Sequence, residues 1–434
     1  MRFDIEIYLI TSTLVSAFTF IYITFTLLLS SVKKGKKTHT QEVNVSGNVT
    51  AVIPVYNENI SLFKKVIQSV KREKIKFIVV GDGVSEPYKS IVENEDGTFV
   101  SIKKGGKRKA IKEGIKFVKT PYVLLLDSDT ILPQGGVKRL ISAIQGKVVA
   151  VSPEIKIIRG KSKLAYYSSE VVQLLRRITY KALSIFGSVL TLNGQCIVAR
   201  TDIIKPFILS KEYDEVRFFR FSTILGDDRQ LTDYIYKSGM KVEIVEDVIV
   251  KTRAPDNVST FFKQLTRWYR ANNFFMFKEI FDGSIFKKGV FYAFSLIYWN
   301  TLPLLIIVSD LTFIEIMLRH LFLHPRILAR IWEDPAHAIY FLIIRRIGGF
   351  MHTPYVDPSF VYRHIDPFYF EFFMLHNLMG ELSSLASSIM LLMIFVHFRK
   401  NIKGFILGLS AFPLMFFAEI IATFTVLKKK WGSR

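Results

Sequence analysis

Cysteine is almost absent from this sequence, since Cys196 is the single one in 434 residues. A disulfide framework and a zinc site built on several thiolates are therefore excluded. Acidic residues are scarce as well, with 37 Asp and Glu against 59 Lys and Arg, a formal net charge of +22. Half of the residues are hydrophobic, which excludes a disordered chain because that much apolar side chain can bury a core. This average composition, half hydrophobic and strongly basic, fits neither a fully soluble enzyme nor a plain bundle of membrane helices.

Charge is missing altogether from residues 7–32, which contain no Asp, Glu, Lys or Arg. A helix of that length is about 39 Å long, which is enough to cross a bilayer. The run is too long for a cleaved secretory signal, and no small-residue cleavage site follows it. Four lysines follow instead, Lys33, Lys34, Lys36 and Lys37. Basic residues mark the cytoplasmic end of a span, so we expect the next domain to be cytosolic.

The C-terminal third contains further apolar runs. Residues 311–351 are apolar but interrupted by charge, and the distribution of Lys and Arg favours a crossing near 311–331. With the N-terminal run, the sequence predicts about five transmembrane helices, the others at about 289–309, 371–397 and 404–427. Residues 335–370 are expected to form an interfacial segment.

The predicted organisation has four parts. They are an N-terminal span with a basic collar, a cytosolic domain, an interfacial helix and a C-terminal membrane region, at 1–37, 38–253, 254–288 and 289–434.

The cytosolic domain reads as α/β. Short apolar, β-branched runs alternate with amphipathic segments, which is typical of a mostly parallel, doubly wound sheet. The predicted strands are 50–54, 76–81, 98–102, 122–126, 148–152, 190–199 and 241–250. The predicted helices include 60–72, 107–118 and 133–145. Ligands of such sheets bind at the carboxyl ends of the strands.

Acidic side chains stand where three of these strands end. Glu58 follows the first strand, Asp82 ends the second, and Asp127 and Asp129 follow the fourth. Any one of them has an ordinary explanation, because Asp often occupies turns and helix caps. Together they would place several like charges on one rim, which a hard divalent cation with oxygen ligands would compensate. Asp-x-Asp on an extended segment also sends both carboxylates to the same face.

Two further motifs come later in the chain. Gly226, Asp227, Asp228 and Arg229 precede an amphipathic stretch, and Gln264, Arg267 and Trp268 lie on another. Asp227 could simply cap a helix at 228–238. The second motif could be an amphipathic helix at the membrane surface, with Trp anchoring and Arg extending to the interface. That interpretation is compatible with a role in a site.

In this order, the motifs resemble those of processive, membrane-integrated family 2 glycosyltransferases. Hyaluronan synthase is the closest of these, and cellulose and chitin synthases are also similar. The matching segments are Ile53 to Glu58, Asp82, Gly106 to Ala110, Asp127 to Asp129, Gly226 to Arg229 and Gln264 to Trp268. The resemblance covers residues 50–275 in detail and implies a Rossmann-like GT-A fold.

The resemblance also implies roles for the motif residues. Five residues would bind the nucleotide. The uracil and ribose would be bound by Tyr56, Glu58 and Asp82. The phosphates or the base would be bound by Lys107 and Arg108. Asp127 and Asp129 form the metal motif for Mn²⁺ or Mg²⁺, with Asp129 the likelier direct ligand. Asp228 is the general base, and Asp227 shapes the same pocket. Gln264, Arg267 and Trp268 close over the diphosphate and the acceptor. Asn193 or Gln195 contacts the acceptor.

The expected function is polymerisation of sugar from a UDP-sugar at a cytosolic metal site, with passage of the glycan through the protein's own spans. The expected location is the cell membrane. The alternative is transfer of a single sugar to a membrane lipid such as a polyprenyl phosphate or a ceramide-like acceptor. A non-catalytic receptor for nucleotide sugars would tolerate the loss of Asp228. Nucleic acid is not expected as a partner, because the basic runs flank membrane segments and a phosphate cleft. No obligate protein partner is inferred.

Overall fold

The computed structural model describes residues 2–32, 44–323 and 367–427. The chain divides into two compact units. The first comprises residues 1–28 and 297–400, and the second comprises residues 29–296 and 401–434. The basic collar at 33–37 and most of the interfacial segment at 335–370 lie outside the described residues.

The second unit contains an α/β domain. Its strands are β1 (Val49–Val55), β2 (Lys76–Asp82), β3 (Thr98–Ile102), β4 (Tyr122–Leu126), β5 (Thr130–Ile131), β6 (Val148–Ile158), β7 (Cys196–Arg200), β8 (Val216–Phe218), β9 (Phe221–Thr223) and β10 (Lys241–Arg253). The helices, numbered from α1 (Arg2–Ser31) at the N-terminus, are α2 (Ile60–Arg72), α3 (Tyr88–Glu93), α4 (Lys107–Lys116), α5 (Gly136–Ser142), α6 (Lys163–Ser184), α7 (Thr201–Leu209), α8 (Asp227–Lys237), α9 (Val258–Phe281) and α10 (Ser284–Lys287).

Eight of the strands form one sheet in the order β3-β2-β1-β4-β7-β6-β10-β5. Strands β3, β2, β1 and β4 are mutually parallel, as the sequence predicts. The other half is mixed, because β7 runs antiparallel to both β4 and β6 while β6 and β10 are parallel. The α/β, Rossmann-like prediction is confirmed, and the sheet is mixed rather than mostly parallel.

Helices cover both faces of the parallel half. Ile53 of β1 lies in a core with Phe63 and Val66 of α2. Its neighbour Val52 points to the other face, where α4 packs. A Cβ on Gly114 of α4 would lie 2.5 Å from Val52 Cγ1, so only glycine allows this close approach. Burial on both faces explains why these strands read as continuous apolar runs.

The predicted strand 190–199 is wrong in its first half, since β7 begins at Cys196. The preceding backbone is bonded to side chains instead of a neighbouring strand. Leu192 N donates to Thr232 Oγ1 at 3.0 Å, and Asn193 N donates to Ser152 Oγ at 2.9 Å. The apolar pattern alone did not reveal these polar anchors.

Long apolar helices account for the membrane predictions. They are α1, α11 (Val290–Leu323), α12 (Pro367–His397) and the consecutive α13 (Ile402–Gly408) and α14 (Ala411–Phe424). Within the described residues, four stretches are long and apolar enough to cross a membrane, Glu6–Ser31, Val290–Ile316, Met374–His397 and Ile402–Phe424.

The predicted division between spans at 289–309 and 311–331 is wrong within the described residues. Helix α11 continues through residue 310 to Leu323 without a turn. The single charge of Asp310 suggested a boundary, but one carboxylate does not end a helix and no turn residues accompany it. Residues 324–331 lie outside the described residues, as does the rest of the segment up to residue 366.

Aromatic and polar contacts join the helices of the first unit. Tyr22 of α1 stacks on Tyr298 of α11 at 4.1 Å between ring centroids. The indole of Trp299 donates to Tyr22 Oη at 2.7 Å. His376 of α12 lies 3.2 Å from the hydroxyl of Ser12. The unit therefore packs α1 against both later helices.

Candidate functional site

The predicted ligand positions meet at the carboxyl ends of β1, β2 and β4. Strand order reverses between β1 and β4, because β2 extends the sheet on one side of β1 and β4 on the other. Such a switch point opens a crevice in α/β sheets. Tyr56, Asp82 and Asp127 follow or end these three strands, so the sheet brings them to one edge.

Asp82 is buried, with 6% of its surface exposed. Its carboxylate accepts from Gly105 N at 2.6 Å and from Gly106 N at 3.0 Å. Gly106 has φ +88°, a conformation that favours glycine. Asp82 therefore holds the loop that begins α4, and its contact with a nucleotide stays a prediction.

Tyr56 and Glu58 lie on the neighbouring loop. Lys104 Nζ donates to Tyr56 Oη at 2.8 Å. The backbone of Glu58 is tied to Tyr88, whose hydroxyl donates to Glu58 O at 2.7 Å. Glu58 Oε1 accepts from Asn59 N at 2.9 Å. Sequence reasoning missed Lys104 and Tyr88; the basic, glycine-rich run ahead of α4 was the available signal for Lys104.

Lys107, at the start of α4, lies among the acidic residues of the site. Its Nζ is 2.5 Å from Asp127 Oδ1 and 3.9 Å from Asp227 Oδ2, and it donates to Gly194 O at 3.2 Å. Burial lowers the pKa of Lys107, but these carboxylates outweigh it and hold the pKa above its usual value. The ammonium is thus a fixed positive charge beside both acidic motifs.

The side chain of Arg108 is bonded to other residues of the protein. Its guanidinium donates to Tyr213 O at 2.7 Å, Ile224 O at 2.8 Å and Leu225 O at 3.1 Å, and also to the side chain of Gln230. These bonds fix the loop that leads into α8. Arg108 acts here as a support of the site, and the predicted contact with phosphate or base stays a prediction.

Asp227 and Asp228 form the first turn of α8, where the helix dipole favours negative charge. Burial raises the pKa of Asp227, but Lys107, Arg108 and Arg267 lower it below its ordinary value overall. Burial and the charge of Asp227 raise the pKa of Asp228 above its ordinary value. Neighbouring carboxylates with opposite shifts are suited to different roles.

Gly194 faces Asp228 across the pocket. A Cβ at position 194 would lie 2.8 Å from Asp228 Oδ2 and 3.1 Å from its Cβ. Any larger residue would displace this carboxylate, so the glycine is required by its close approach. Asn193 is buried and donates to Pro153 O at 2.6 Å, while its Oδ1 accepts from Arg176. Its predicted contact with the acceptor is untested.

The second half of the Asp-x-Asp motif lies beside Glu58. Asp129 Oδ1 accepts from Thr130 Oγ1 at 3.2 Å, and Ser128 Oγ donates to Glu58 Oε2 at 3.5 Å. Across the described ranges, no group of three His, Cys, Asp or Glu residues is placed to hold a metal ion. Lys107 nevertheless contacts Asp127 where a cation would bind. Mg²⁺ commonly uses one or two carboxylates with substrate phosphates, so Asp127 and Asp129 fit such a cation.

The third motif lies on α9. Asn257 caps this helix by accepting from Thr260 N at 2.8 Å. Trp268 packs on a cluster that includes Phe261 and Leu265, which agrees with an amphipathic helix. Arg267 is close enough to Asp227 to lower its pKa. Gln264 is half-buried.

A buried ionic network lies behind the acidic pair. Arg229 Nη2 donates to Glu279 Oε1 at 2.8 Å and to Tyr292 Oη at 2.5 Å. Lys288 Nζ lies 2.9 Å from Glu279 Oε1 and 2.6 Å from Asp233 Oδ1. The exposed fraction is 9% or less for all five of these residues. The network joins α8 to α9 and to the start of α11, and sequence reasoning did not anticipate it.

Helix α9 is also bonded to the last candidate span. Asn273 Nδ2 donates to Glu419 Oε1 of α14 at 2.7 Å. Arg270 Nε donates to Thr425 O at 3.0 Å. One helix therefore connects the motif beside the acidic pocket with α14.

The central residues line one small pocket. Its polar walls come from three acidic residues, a lysine, a glycine and a tyrosine, namely Asp127, Asp227, Asp228, Lys107, Gly194 and Tyr213. Apolar residues of β1, β4, β7, α4 and α8 line the remainder. Cys196 is buried nearby, and burial raises the pKa of its thiol. The pocket thus combines a fixed cation with carboxylates of different basicity.

The amino-acid sequence matches two family models and is similar to several known proteins. Residues 50–207 match the sequence model of glycosyl transferase family 2, and residues 217–345 match that of glycosyl transferase family 21. An N-acetylglucosaminyltransferase of Azorhizobium caulinodans is 27% identical, over 56% of this chain and 64% of the relative. One of Bradyrhizobium diazoefficiens is 27% identical, over 51% of this chain and 48% of the relative.

A polysaccharide synthase is also similar. The poly-beta-1,6-N-acetyl-D-glucosamine synthase of Staphylococcus aureus is 22% identical, over 56% of this chain and 59% of the relative. The chain thus spans about half to two thirds of the length of the curated relatives it matches. The matches support the family 2 resemblance, and they do not single out hyaluronan synthase.

Proposed function

We propose that this glycosyltransferase, whose residues 50–207 match family 2, transfers sugar from a UDP-sugar with inversion at the anomeric carbon. The observation that carries the proposal is the pocket that joins Asp227, Asp228, Asp127 and Lys107. A basic carboxylate and a fixed cation in one pocket suit the activation of an acceptor hydroxyl and the departure of a diphosphate.

Asp228 is the general base. Its raised pKa makes it a stronger base than an ordinary carboxylate, while the positive charges of Lys107 and Arg176 favour its ionised form. It accepts the proton of the acceptor hydroxyl as that oxygen bonds to the anomeric carbon and the bond to UDP breaks. Gly194 lies directly beside its Oδ2, where a Cβ would come within 2.8 Å, and both residues line the pocket.

Positive charge stabilises the leaving diphosphate. Lys107 lies in the pocket, and Arg267 is close to Asp227. Arginine binds phosphate oxygens in a bidentate manner, so Arg267 suits this role. Asp127 and Asp129 would hold Mn²⁺ or Mg²⁺, which neutralises phosphate charge when bound. Enzymes of glycosyl transferase family 2, whose model residues 50–207 match, generally use divalent metals.

The donor is proposed to be UDP-N-acetylglucosamine. Two of the relatives above carry N-acetylglucosaminyltransferase in their names, and one is named for a polymer of that sugar. The four candidate spans support a membrane-integrated protein, and the lysines that follow the first of them favour a cytosolic catalytic domain. We further infer that the enzyme is processive and passes the growing glycan through its own spans.

A transfer assay tests the proposal. The full-length protein in lipid nanodiscs is incubated with Mn²⁺ and a panel of radiolabelled UDP-sugars, and the product is sized. A large polymer from UDP-N-acetylglucosamine is expected. A single lipid-soluble sugar adduct would overturn processivity in favour of transfer to a membrane lipid, and no transfer from any UDP-sugar would overturn the enzyme assignment.

Replacing Lys107 by Met is expected to move the acidic limb of the kcat profile to higher pH. Lys107 lowers the pKa of both Asp227 and Asp228, so its removal raises that of the base. Activity exists above the pKa of the base and is lost as pH falls through it, so the loss then begins at higher pH. Lys109→Met is the control, because Lys109 is exposed on the same helix. If the acidic limb of the kcat profile did not move in Lys107→Met, the proposed electrostatic effect of Lys107 on Asp228 would be wrong.

A further inference from the structure

The two-stranded hairpin of β8 and β9 stands apart from the main sheet. Its strands pair with each other over Val216 to Thr223, in a sheet of their own. Its tip is formed by Phe219 and Arg220, and Phe219 is 76% exposed. Most of this ring is therefore in contact with solvent rather than with the protein.

The backbone conformation at this tip is unfavourable for phenylalanine. Phe219 has φ +49°, in the left-handed region that favours glycine or asparagine. An L-residue with a large side chain is strained in that region. Strain of this kind persists where a side chain has a function. Here the side chain is an exposed aromatic ring.

Phe219 belongs to a larger aromatic surface. Its ring centroid lies 4.6 Å from that of Phe218 and 5.7 Å from that of Phe281, which is 67% exposed at the end of α9. Phe286 of α10 is exposed as well, at 64%. We call the neighbouring rings of Phe218, Phe219 and Phe281 the aromatic edge. It lies where the domain leads into α11, a candidate span.

A second candidate span ends beside the hairpin. Val216 forms a buried cluster with Phe274 and Phe275, and Val426 packs against this cluster. Val426 follows α14, whose apolar stretch ends at Phe424. The hairpin is therefore held at the end of a candidate span, where the membrane surface would lie.

The charges of this surface are mostly positive. Arg217, Arg220 and Lys287 are exposed. Of these, Arg217 is bonded to Glu215 at 2.7 Å. Aromatic rings flanked by basic side chains suit the boundary between acyl chains and anionic headgroups.

We propose that the hairpin anchors the catalytic domain to an anionic lipid surface, with Phe219 inserted among the headgroups and Arg220 bound to their phosphates. The proposal rests on the membrane integration proposed above. The anchor reaches the site directly, because Ile224 and Leu225 follow the hairpin, bind Arg108 and lead into the Asp227–Asp228 turn. Lipid contact therefore positions the catalytic carboxylates.

Insertion is measured by depth-dependent quenching. Phe219→Cys is labelled with a nitrobenzoxadiazole dye on the full-length protein in nanodiscs that contain phosphatidylglycerol and spin-labelled lipid. The native Cys196 is fully buried and does not compete for the dye. Quenching is expected to be about twofold stronger with a shallow spin label than with a deep one, as for a residue at the interface.

Two matched positions make the result decisive. Phe117→Cys, at the far end of α4 from the site, has a 54% exposed native side chain and is expected to show no quenching. Val308→Cys, within the span of α11, is expected to be quenched best by the deep label. Quenching at 308 without quenching at 219 overturns the anchor and leaves membrane integration intact. Quenching at neither overturns membrane integration. Equal quenching at 117 and 219 also overturns the anchor.

Activity supplies an independent readout. Phe219→Gly removes the exposed ring and relieves the backbone strain of the turn. Stimulation by phosphatidylglycerol over phosphatidylcholine is expected to fall about fivefold in Arg220→Gln, as expected for one basic residue at an anionic surface. Phe219→Gly should lower it similarly. Stimulation equal to that of the wild type in both variants would overturn the proposal.

Discussion

Asp228→Asn is expected to lower kcat by about 10²–10⁴-fold, the usual contribution of a general base. The amide keeps the size of the side chain and can still fit beside Gly194, but it cannot accept a proton at the required strength. UDP binding should change little, because Lys107 and Arg267 carry the positive charge toward the diphosphate. Transfer rates and calorimetric titration with UDP measure the two effects.

A variant of the neighbouring Asp227 distinguishes its role from that of Asp228. Asp227→Asn removes a charge that raises the pKa of Asp228, so the acidic limb of its profile should move to lower pH. Asp247→Asn, in an exposed ion pair with Arg139, is the control and should retain full activity. If Asp227→Asn were inactive and Asp228→Asn active, the base would be Asp227 and the assignment wrong.

Arg229→Met is expected to lower the free energy of unfolding by about 3–5 kcal/mol, since it removes one partner of a buried ion pair. Glu279 has no exposed surface, and Met cannot bond to it. The first turn of α8 carries both Asp228 and Arg229, so transfer should fall as well. Thermal unfolding in nanodiscs measures the first effect and initial rates the second.

A double variant distinguishes an ionic role from packing. Arg229→Met with Glu279→Gln removes the buried carboxylate that Arg229 neutralises, while Lys288 keeps its ion pair with Asp233, so part of the lost stability should return. The exposed pair of Arg139 and Asp247 gives the contrast, because Arg139→Met should cost about 1 kcal/mol or less. Equal losses in Arg229→Met and Arg139→Met would show that the network contributes no more than a surface pair.

Much of the domain is predictable because local pattern and burial coincide there. Helix α2 has the predicted bounds 60–72, and β3 and β4 have theirs. The acidic rim follows from parallel strands, whose ends necessarily meet at one edge. These features depend on periodicity, which a sequence displays directly.

Other features depend on partners distant in the chain. The commitment of Arg108 to Tyr213, Ile224 and Leu225 joins residues more than 100 positions apart. Asn193, which seemed available to an acceptor, is bound instead to Pro153 and Arg176, 40 and 17 positions away. Asp310 misled in the opposite way, because a single charge within a long apolar helix suggested a turn. Charge and composition indicate which groups are present, and only packing shows which are occupied.

The attachment of α9 to α14 means that the catalytic domain does not end where its sheet ends. Phe261 and Leu265 of α9 are covered by Ala418 of α14 and by Ala165 of α6. A soluble fragment cut before α13 would expose this apolar seam and leave Asn273 without its partner on α14. Biochemical dissection of the enzyme therefore needs the last helices retained with the domain.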